Sequence, residues 1–287
     1  MTEKPAIGFI GLGIMGLPMA SNLLAAGYPV CALNRSPART ALLVERGAAT
    51  AASAAELAAV SDVVITMLPD TPDVETVVFG SGGVAAGIRP GSAFVDMSTI
   101  DPAMSRGIAA RLRGAGVAVL DAPVSGGEKG AIEGTLSIMV GGDEAAFERV
   151  APIFAVLGKN ITRIGDAGAG QIAKACNQLV AAVTLEAVAE ALALASASGV
   201  DPHKVRSALL GGFAQSRILE VHGQRMLDAA YTPGFKARLH KKDLDIVIAA
   251  EQAAGLHLPA AELLHERMGM LAARLPEADH SALRTLL

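Results

Sequence analysis

Cysteine is scarce in this chain, which contains only Cys31 and Cys176 among its 287 residues. Two cysteines are too few for the disulfide framework that many small secreted domains need. One falls in a predicted strand and the other in a predicted helix, so we expect buried, reduced thiols. This low cysteine content predicts a protein of the reducing cytoplasm.

The chain also lacks an excess of positive charge. It has 24 Lys and Arg against 28 Asp and Glu, a net charge of −4, and no long basic run. Nucleic acid and anionic membrane surfaces are therefore unexpected partners. The six histidines show no close pair at metal-ligand spacing, so no metal site is expected.

Long uncharged apolar runs are missing as well. The N-terminal segment MTEKPAIGFIGLG has too short an apolar stretch for a signal peptide, and no later run is a convincing membrane span. Hydrophobic residues nevertheless make up 52% of the chain. We therefore expect one large domain or two ordinary domains with sizeable cores.

The strongest local pattern that is present is a glycine-rich turn within residues 6–22, AIGFIGLGIMGLPMASN. Gly11 would let the chain turn, Gly13 would let the backbone approach a pyrophosphate, and Gly16 would let helix and strand pack closely. The free N–H groups at the helix start would face the anion. An ordinary glycine loop is the alternative. The pattern predicts a dinucleotide site formed by Gly11, Leu12, Gly13, Ile14, Met15 and Gly16.

Short apolar runs alternate with amphipathic segments from Ala6 to about Ile164. The runs that predict strands are residues 7–10, 30–33, 63–67, 93–96, 117–121, 137–140 and 161–164. Ser36, Ser53 and Asp101 stand at expected helix N-cap positions between them. This alternation favours a parallel sheet covered on both faces. We predict a Rossmann-like, doubly wound α/β domain over residues 1–166.

No strand-like run follows Asp166, and residues 167–287 are predicted to form an all-α domain. Its first helix covers residues 168–198 and has no internal Pro or Gly after Gly170. Roughly 30 residues at about 1.5 Å each would span about 45 Å, long enough for an interdomain helix. Further helices are predicted at about residues 202–210, 216–230, 236–254, 259–275 and 279–287.

An acidic residue is missing after the second predicted strand. Rossmann proteins that prefer NAD usually place one there, where it binds the adenosine ribose and repels a 2′-phosphate. This chain has Asn34, Arg35 and Ser36 instead. Arg35 could bind a phosphate through its guanidinium, with Asn34 and Ser36 as neutral donors. We predict a preference for NADP(H), with NAD(H) possible; the alternative is that Arg35 is only a solvated surface residue.

Lys174 is the best candidate for acid–base chemistry. Reduction of a carbonyl needs a proton donor beside the path of the hydride, and Lys174 lies early in the long predicted helix among small residues. Asn177 or Gln178 would share its helical face. A solvated lysine is the alternative that spacing alone leaves open.

A second cluster, DAPVSGG at residues 121–127, directly follows a predicted strand. Ser125 with Gly126 and Gly127 could present a hydroxyl and N–H groups to a carboxylate, unless this is an ordinary turn. Ser98 and Thr99 follow another strand in a comparable position. The charged run HKKDLD at residues 240–245 is the weakest candidate, because such runs are usually solvated.

Several long motifs, taken in order, resemble the β-hydroxyacid dehydrogenase family. They are GFIGLGIMGLPMASNL, DMSTI, DAPVSGGEKGAIEGTLSIMVGG, GAGQIAKACNQ, PGFKARLHKKDL and DHSAL. The resemblance covers essentially the whole chain. It implies a Rossmann domain, a long interdomain helix and a helical domain that forms a dimer or tetramer. It also implies a nicotinamide cofactor and a small semialdehyde or hydroxyacid substrate.

The resemblance implies roles for individual residues. Lys174 matches the catalytic lysine of the family, and Asn177 matches the helical amide that orients the substrate. The positions matched to substrate binding are Ser125, Gly126, Gly127, Thr99 and Phe235. Positions matched near the cofactor are Leu68, Pro69, Thr99, Lys242 and Asp243.

Two segments, GTLSIMVGGDEAAFERV and GGFAQSRILEVHGQRM, are most similar to the tartronate semialdehyde reductase branch of the family. This similarity implies reduction of tartronate semialdehyde to glycerate, with Lys174 protonating the carbonyl oxygen. 3-Hydroxyisobutyrate dehydrogenase and glyoxylate or succinic semialdehyde reductase activities are alternatives within the family. A non-catalytic NADP(H)-binding module and an imine reductase are alternatives outside it, and the presence of Lys174 argues against both.

Overall fold

The computed structural model describes residues 4–287. The chain divides into two compact units, of which the first ends at Lys174 and the second is Ala175–Leu287. The sequence predicted a boundary after residue 166, where the last strand ends. That boundary stays a prediction; in the structure Gly168 and Gln171, just beyond it, are hydrogen-bonded to Asp121 and Ser98 of the first unit. Residues 1–3 of the predicted first domain lie outside the described part of the chain.

The first unit has the predicted Rossmann-like architecture. Its strands are β1 (Ile7–Ile10), β2 (Val30–Leu33), β3 (Ala49–Thr50), β4 (Val63–Thr66), β5 (Ala93–Asp96), β6 (Ala118–Asp121), β7 (Val124–Ser125), β8 (Leu136–Gly142) and β9 (Gly158–Gly165). The helices are α1 (Gly16–Ala25), α2 (Pro37–Val44), α3 (Ala54–Ala59), α4 (Thr71–Phe79), α5 (Val84–Gly87), α6 (Pro102–Arg113), α7 (Gly127–Glu133) and α8 (Glu144–Leu157). All seven predicted strands are present. The two strands that were not predicted, β3 and β7, have two residues each and are too short to show a hydropathy pattern.

The strand order is β3-β2-β1-β4-β5-β6-β8-β7, and β9 pairs with β8. The sheet is parallel from β3 to β6, but β8 runs antiparallel to both β6 and β7. The expected all-parallel arrangement therefore does not extend to this edge. An apolar run predicts that β8 is a strand, but its direction depends on the chain reversal through α7, which ends at a left-handed Gly134.

Both faces of the sheet are covered, as predicted. Phe9 of β1 packs in one apolar cluster with residues of α1 and α8, whereas the neighbouring Ile10 packs in a second cluster with residues of α3, α4 and α6. This alternation is the two-residue period of a strand buried on both sides. Cys31 of β2 belongs to the second cluster, and burial raises the pKa of its thiol.

The second unit is all helical, as predicted. Its elements are α9 (Ala169–Ala197), which begins in the first unit, then α10 (Pro202–Leu210), α11 (Arg217–Leu227), α12 (Ala237–Ala254), α13 (Pro259–Arg274) and a 3₁₀ helix (His280–Leu286). Leu185 and Leu192 of α9 pack in one cluster with Leu244 of α12 and Met268 of α13. The expectation of two buried thiols is wrong for Cys176, which is exposed on α9 because it faces away from this cluster.

Helix α9 bears on the sequence prediction of no membrane span. By length and composition alone it is long and apolar enough to cross a membrane. Core helices of soluble proteins pass the same test, so one such helix is weak evidence for a span. Buried Lys174 and Glu186 both lie within this helix.

Candidate active site

Five parallel strands of the first unit end at the same level. The registers pair Ile10 with Leu33 and with Thr66, Thr66 with Asp96, and Asp96 with Asp121. The loops that follow these strands therefore leave the sheet along one edge. Ligands of open α/β sheets bind beyond this carboxyl edge, and most of the predicted site residues of the first unit lie in its loops.

The three glycines of the first loop have distinct environments. Gly11 has a left-handed φ of +100°, and a Cβ built on it would lie 2.3 Å from the Met67 carbonyl oxygen. A Cβ on Gly16 would lie 1.9 Å from the Gly11 carbonyl oxygen. A Cβ on Gly13 would meet nothing within 4 Å. Gly11 and Gly16 therefore permit the turn and the close packing, while Gly13 leaves its backbone open to a ligand.

The start of α1 fits a bound pyrophosphate. No side chain caps this helix, and its first turn contains no acidic residue. The Leu17 N–H bonds to the Gly13 carbonyl oxygen at 3.1 Å and Pro18 has no N–H, so the amides that can face an anion are those of the turn at residues 13–16, with the helix dipole in the favourable direction. Leu12 is buried beneath the loop, Met15 is half-buried, and Ile14 is exposed. The residues present therefore fit the phosphates of a dinucleotide.

Asn34 has a structural role at the end of β2. Its Oδ1 accepts a hydrogen bond from the Leu12 N–H at 2.9 Å, and its Nδ2 donates to the Ser36 carbonyl oxygen at 3.2 Å. The side chain thus ties the glycine loop to β2, which limits its predicted use as a phosphate donor. Ser36 is the N-cap residue of α2, but its hydroxyl makes no capping bond there, and Arg35 is exposed beside it.

Leu68 and Thr99 lie in neighbouring loops at the same edge. The Leu68 N–H donates to the Ser98 hydroxyl at 2.9 Å, and Ser98 itself is fully buried. Ser98 therefore joins two loops, and Thr99, which is half-buried, is the better placed of the pair to reach a ligand. Pro69, the other predicted cofactor residue here, is exposed.

Asp96 is a buried carboxyl group at the end of β5. It accepts hydrogen bonds from the Thr66 hydroxyl at 2.8 Å and the Ser98 N–H at 3.1 Å. Burial outweighs these bonds and raises the pKa of Asp96 to about 6. Asp121, its register neighbour on β6, adds to this increase through charge repulsion. Asp96 therefore titrates close to neutral pH.

Asp121 holds the start of α9. Its carboxylate accepts from the Gly168 N–H at 2.7 Å and from the Gln171 N–H at 2.9 Å. Burial raises the pKa of Asp121, and these amide bonds act in the opposite direction. Lys174 lies one turn further along this anchored helix and is only 7% exposed. Lysine is rarely this buried unless it is paired, so Lys174 is a candidate acid–base group at this helix turn.

Ser125 lies in β7, shortly after Asp121 in the chain. It pairs with Ser137 of β8 and is half-buried, while Gly126 and Gly127 are exposed at the start of α7. Gly126 has a φ of +137°, a conformation that favours glycine. The Ser-Gly-Gly segment therefore offers a hydroxyl and backbone amides at the carboxyl edge.

In the second unit, Gln178 links the predicted residues of α9 and α12. Its Oε1 accepts from Asn177 Nδ2 at 2.8 Å, and its Nε2 donates to Asp243 Oδ2 at 2.5 Å. Lys242 forms an ion pair with Asp243 at 2.9 Å. The four side chains thus form one polar network within this unit.

Phe235 is half-buried and packs against the rings of His240 and His280, with centroid distances of 5.6 and 5.5 Å. His280 Nδ1 lies 2.8 Å from His240 Nδ1, and His280 Nε2 lies 3.3 Å from His222 Nε2. Burial keeps the pKa of His280 well below its ordinary value.

His222, Asp279 and His280 come close enough to hold a metal ion, a grouping that sequence spacing did not predict. Asp279 and His280 are adjacent at the start of the 3₁₀ helix, but His222 lies in α11, so no local pattern could find the group of three. Asp279 forms an ion pair with Arg225 and accepts from the backbone N–H groups of Gly234 and Ser281. This carboxylate is therefore already satisfied by the protein.

Sequence reasoning also missed the roles of Asp96, Asp121 and Gln171. Asp121 opens the DAPVSGG motif, and an acidic residue that ends a buried strand was an available signal. Gln171 gave no signal, because a single glutamine in a helix start is usually solvated.

Comparison with known proteins agrees with this geometry. Residues 6–165 match the NAD binding domain of 6-phosphogluconate dehydrogenase, and residues 168–287 match the family described as NAD-binding of NADP-dependent 3-hydroxyisobutyrate dehydrogenase. The chain is 50% identical over 278 residues to the 2-hydroxy-3-oxopropionate reductase of Escherichia coli, covering 96% of this chain and 95% of that protein.

Solved structures agree as well. The 3-hydroxyisobutyrate dehydrogenase of Mycobacterium tuberculosis, solved with L-serine, is 35% identical and superposes with a TM-score of 0.91 over 99% of both chains. Psf3, in complex with NADP+ and 2-OPP, is 25% identical with a TM-score of 0.89, over 98% of this chain and 99% of that one. The chain therefore belongs to the 3-hydroxyisobutyrate dehydrogenase-like family and is an NAD(P)-dependent β-hydroxyacid dehydrogenase.

Proposed function

We propose that this enzyme reduces tartronate semialdehyde (2-hydroxy-3-oxopropanoate) to glycerate, with Lys174 as the proton donor. The observation that carries the chemistry is a buried lysine one turn into a helix whose start is fixed by Asp121. The substrate is supported by the 50% identity to a 2-hydroxy-3-oxopropionate reductase over nearly the whole chain.

When bound at the glycine loop, the nicotinamide cofactor supplies a hydride to the aldehyde carbon. The Lys174 ammonium donates a hydrogen bond to the carbonyl oxygen and passes a proton to it as negative charge develops. Ser125 and the amides of Gly126 and Gly127 hold the substrate carboxylate. Asn177, one turn along α9 from Lys174, orients the substrate through its amide. In the oxidative direction, neutral Lys174 takes the proton back.

Lys174→Ala tests this mechanism. We expect a folded protein that binds cofactor normally, with kcat lower by roughly 10²- to 10⁴-fold, the usual contribution of a general acid. Lys204→Ala removes the same charge from the exposed face of α10 and serves as the matched control. Turnover by Lys174→Ala at the rate of the control would eliminate the proposed role.

The substrate is tested by measuring kcat/KM for a panel of aldehydes. Tartronate semialdehyde is compared with glyoxylate, succinic semialdehyde and methylmalonate semialdehyde, the substrates of the related activities. We expect the highest value for tartronate semialdehyde. A higher value for another member would leave the reaction class in place and replace the substrate.

We propose NADP(H) as the preferred cofactor and Arg35 as the residue that recognises its 2′-phosphate. Arg35 is exposed beside the glycine loop, and no carboxylate lies in Asn34–Ser36 to repel a phosphate. Arg35→Ala should raise KM for NADPH by about 10- to 100-fold, since charge-assisted bonds contribute about 1.5–3 kcal/mol, and leave KM for NADH nearly unchanged. Arg113→Ala, an exposed arginine on α6, is the control. Equal changes for both cofactors would contradict this role.

We also propose that the enzyme is a cytoplasmic homodimer or homotetramer without nucleic-acid or membrane partners. Exposed apolar side chains in the second unit, such as Val180, Leu194 and Phe213, support contact with a second copy. Light scattering of the purified enzyme gives the oligomer, and cell fractionation gives the compartment. A monomer, or an enzyme found in the membrane fraction, would contradict these proposals.

A further inference from the structure

The side chain of Gln171 joins two parts of the site that are far apart in the chain. Its Oε1 accepts from the Ile100 N–H at 3.1 Å, and its Nε2 donates to the Ser98 carbonyl oxygen at 2.9 Å. The two backbone groups flank Thr99 on either side. Gln171 is only 1% exposed, so water does not compete for these bonds. One carboxamide therefore holds both ends of the Thr99 peptide segment.

Gln171 lies three residues before Lys174 on α9. Side chains at this spacing are neighbours on a helix, with about 5–6 Å between their Cβ atoms. The backbone N–H of Gln171 is also bonded to Asp121 Oδ2, so this helix turn is fixed from its main chain as well. The orientation of Lys174 relative to the Thr99 loop is thus set by bonds that converge on one residue.

We propose that Gln171 is a positioning residue for the reaction, whose carboxamide fixes the loop that carries Thr99 against the helix turn that carries Lys174. This inference rests on the proposed role of Lys174. Gln171 touches neither substrate nor cofactor in this role. It acts because proton transfer requires a donor placed to within a fraction of an ångström, and a misplacement of about 1 Å can cost about 10²-fold in rate.

Gln171→Leu keeps the size of the side chain and removes both bonds. We expect a folded protein with kcat lower by roughly 10- to 100-fold, and with a smaller change in KM for NADPH, because the glycine loop is untouched and only the Thr99 loop loses its anchor. The control is Asp62→Ala, which removes a side-chain bond to the Ala6 N–H at 2.9 Å at the opposite, amino edge of the sheet. It should reduce stability and leave kcat at the wild-type value.

Gln171→Glu gives a second readout if the leucine variant fails to fold. An ionised carboxylate can accept from Ile100 but repels the Ser98 carbonyl oxygen, whereas a protonated carboxyl group can make both bonds of the native amide. Its kcat, divided by that of the wild type, should therefore rise as pH falls from 8 to 5.5. Asp96 and Asp121 are buried acids that bond to the same loop and helix turn, and they are present in both proteins. Dividing by the wild-type kcat therefore cancels the effect of their titration.

A double-mutant cycle separates this inference from the proposed function. If Gln171 acts through Lys174, Gln171→Leu lowers kcat in the wild-type background and causes no further loss in Lys174→Ala. An inactive Lys174→Ala beside a fully active Gln171→Leu would overturn only the positioning role. Equal losses in both backgrounds would also overturn it. Full activity of Lys174→Ala would overturn the proposed function and the inference together.

Discussion

Alanine substitutions at Gly13 and Gly16 should have opposite effects on stability and the same effect on cofactor binding. A Cβ on Gly16 would lie 1.9 Å from the Gly11 carbonyl oxygen, whereas ordinary contacts begin near 3.4 Å. Relieving this clash requires a shift of about 1.5 Å between α1 and the loop, because the clashing atom belongs to the backbone. Such overpacking costs about 1–3 kcal/mol. The shift also moves the amides that would hold the pyrophosphate.

Gly13→Ala should behave differently in the unliganded protein. A Cβ there meets nothing within 4 Å, and Gly13 does not have a left-handed φ. Alanine should therefore raise stability by about 0.4–1 kcal/mol by restricting the unfolded chain. The added methyl nevertheless stands where the backbone should approach the pyrophosphate. We expect the Kd for NADPH to rise by about tenfold or more, the result of losing at least about 1.4 kcal/mol.

The assays are urea unfolding without cofactor and titration of NADPH fluorescence. Gly107→Ala is the control, since Gly107 lies in α6 and its Cβ would also meet nothing within 4 Å. It should raise stability by about 1 kcal/mol through helix propensity and leave the Kd unchanged. Wild-type affinity in Gly13→Ala would refute the assignment of this loop to the cofactor phosphates.

Two further predictions concern buried charges. Because burial raises the pKa of Asp96 to about 6, the folded state holds its proton more tightly, and wild-type stability should fall as pH rises from about 4 to 6. Asp96→Asn removes this dependence. In urea titrations, the free energy of unfolding of the variant relative to that of the wild type should therefore increase by about 2 kcal/mol between pH 4 and 7. A difference that stays constant over this range would show that Asp96 of the folded protein is ionised from pH 4 to 7. Glu186 is 4% exposed and forms an ion pair with Arg267. Arg267→Met should cost about 3–5 kcal/mol by leaving that carboxylate unpaired, and the double variant with Glu186→Leu should regain most of it in thermal unfolding. A double variant as unstable as Arg267→Met would contradict this account.

Much of the fold could be predicted because its signals are local. Apolar runs marked every strand longer than two residues, and a residue such as Asp201, which accepts from the His203 N–H, marked a helix start through its own side chain. The direction of β8 could not be predicted, since it depends on a reversal of the chain and not on hydropathy. The exposure of Cys176 depends likewise on which face of α9 packs in the core.

Some residues of the candidate site could be predicted from the sequence, and others could not. The glycine loop carries its pattern within six residues, so spacing alone singled out Gly11, Gly13 and Gly16. From the residues alone Lys174 was the best candidate proton donor, but spacing left a solvated lysine open, and the family resemblance gave it a role. Gln171 was missed because its partners, Ser98 and Ile100, are about 70 residues away in sequence and contribute only backbone atoms.

The sheet of the first unit ends in a long strand. Within residues 4–287, β9 pairs only with β8, so one side of an eight-residue strand is open. Such an edge can template pairing with another chain and thus promote aggregation. Lys159 is exposed on this strand, and Arg163 bonds to the Gly142 carbonyl oxygen and pairs with Asp166. Charged residues on an open edge disfavour pairing between strands of different molecules, so replacing Lys159 and Arg163 by neutral residues should increase aggregation of the concentrated enzyme at unchanged kcat.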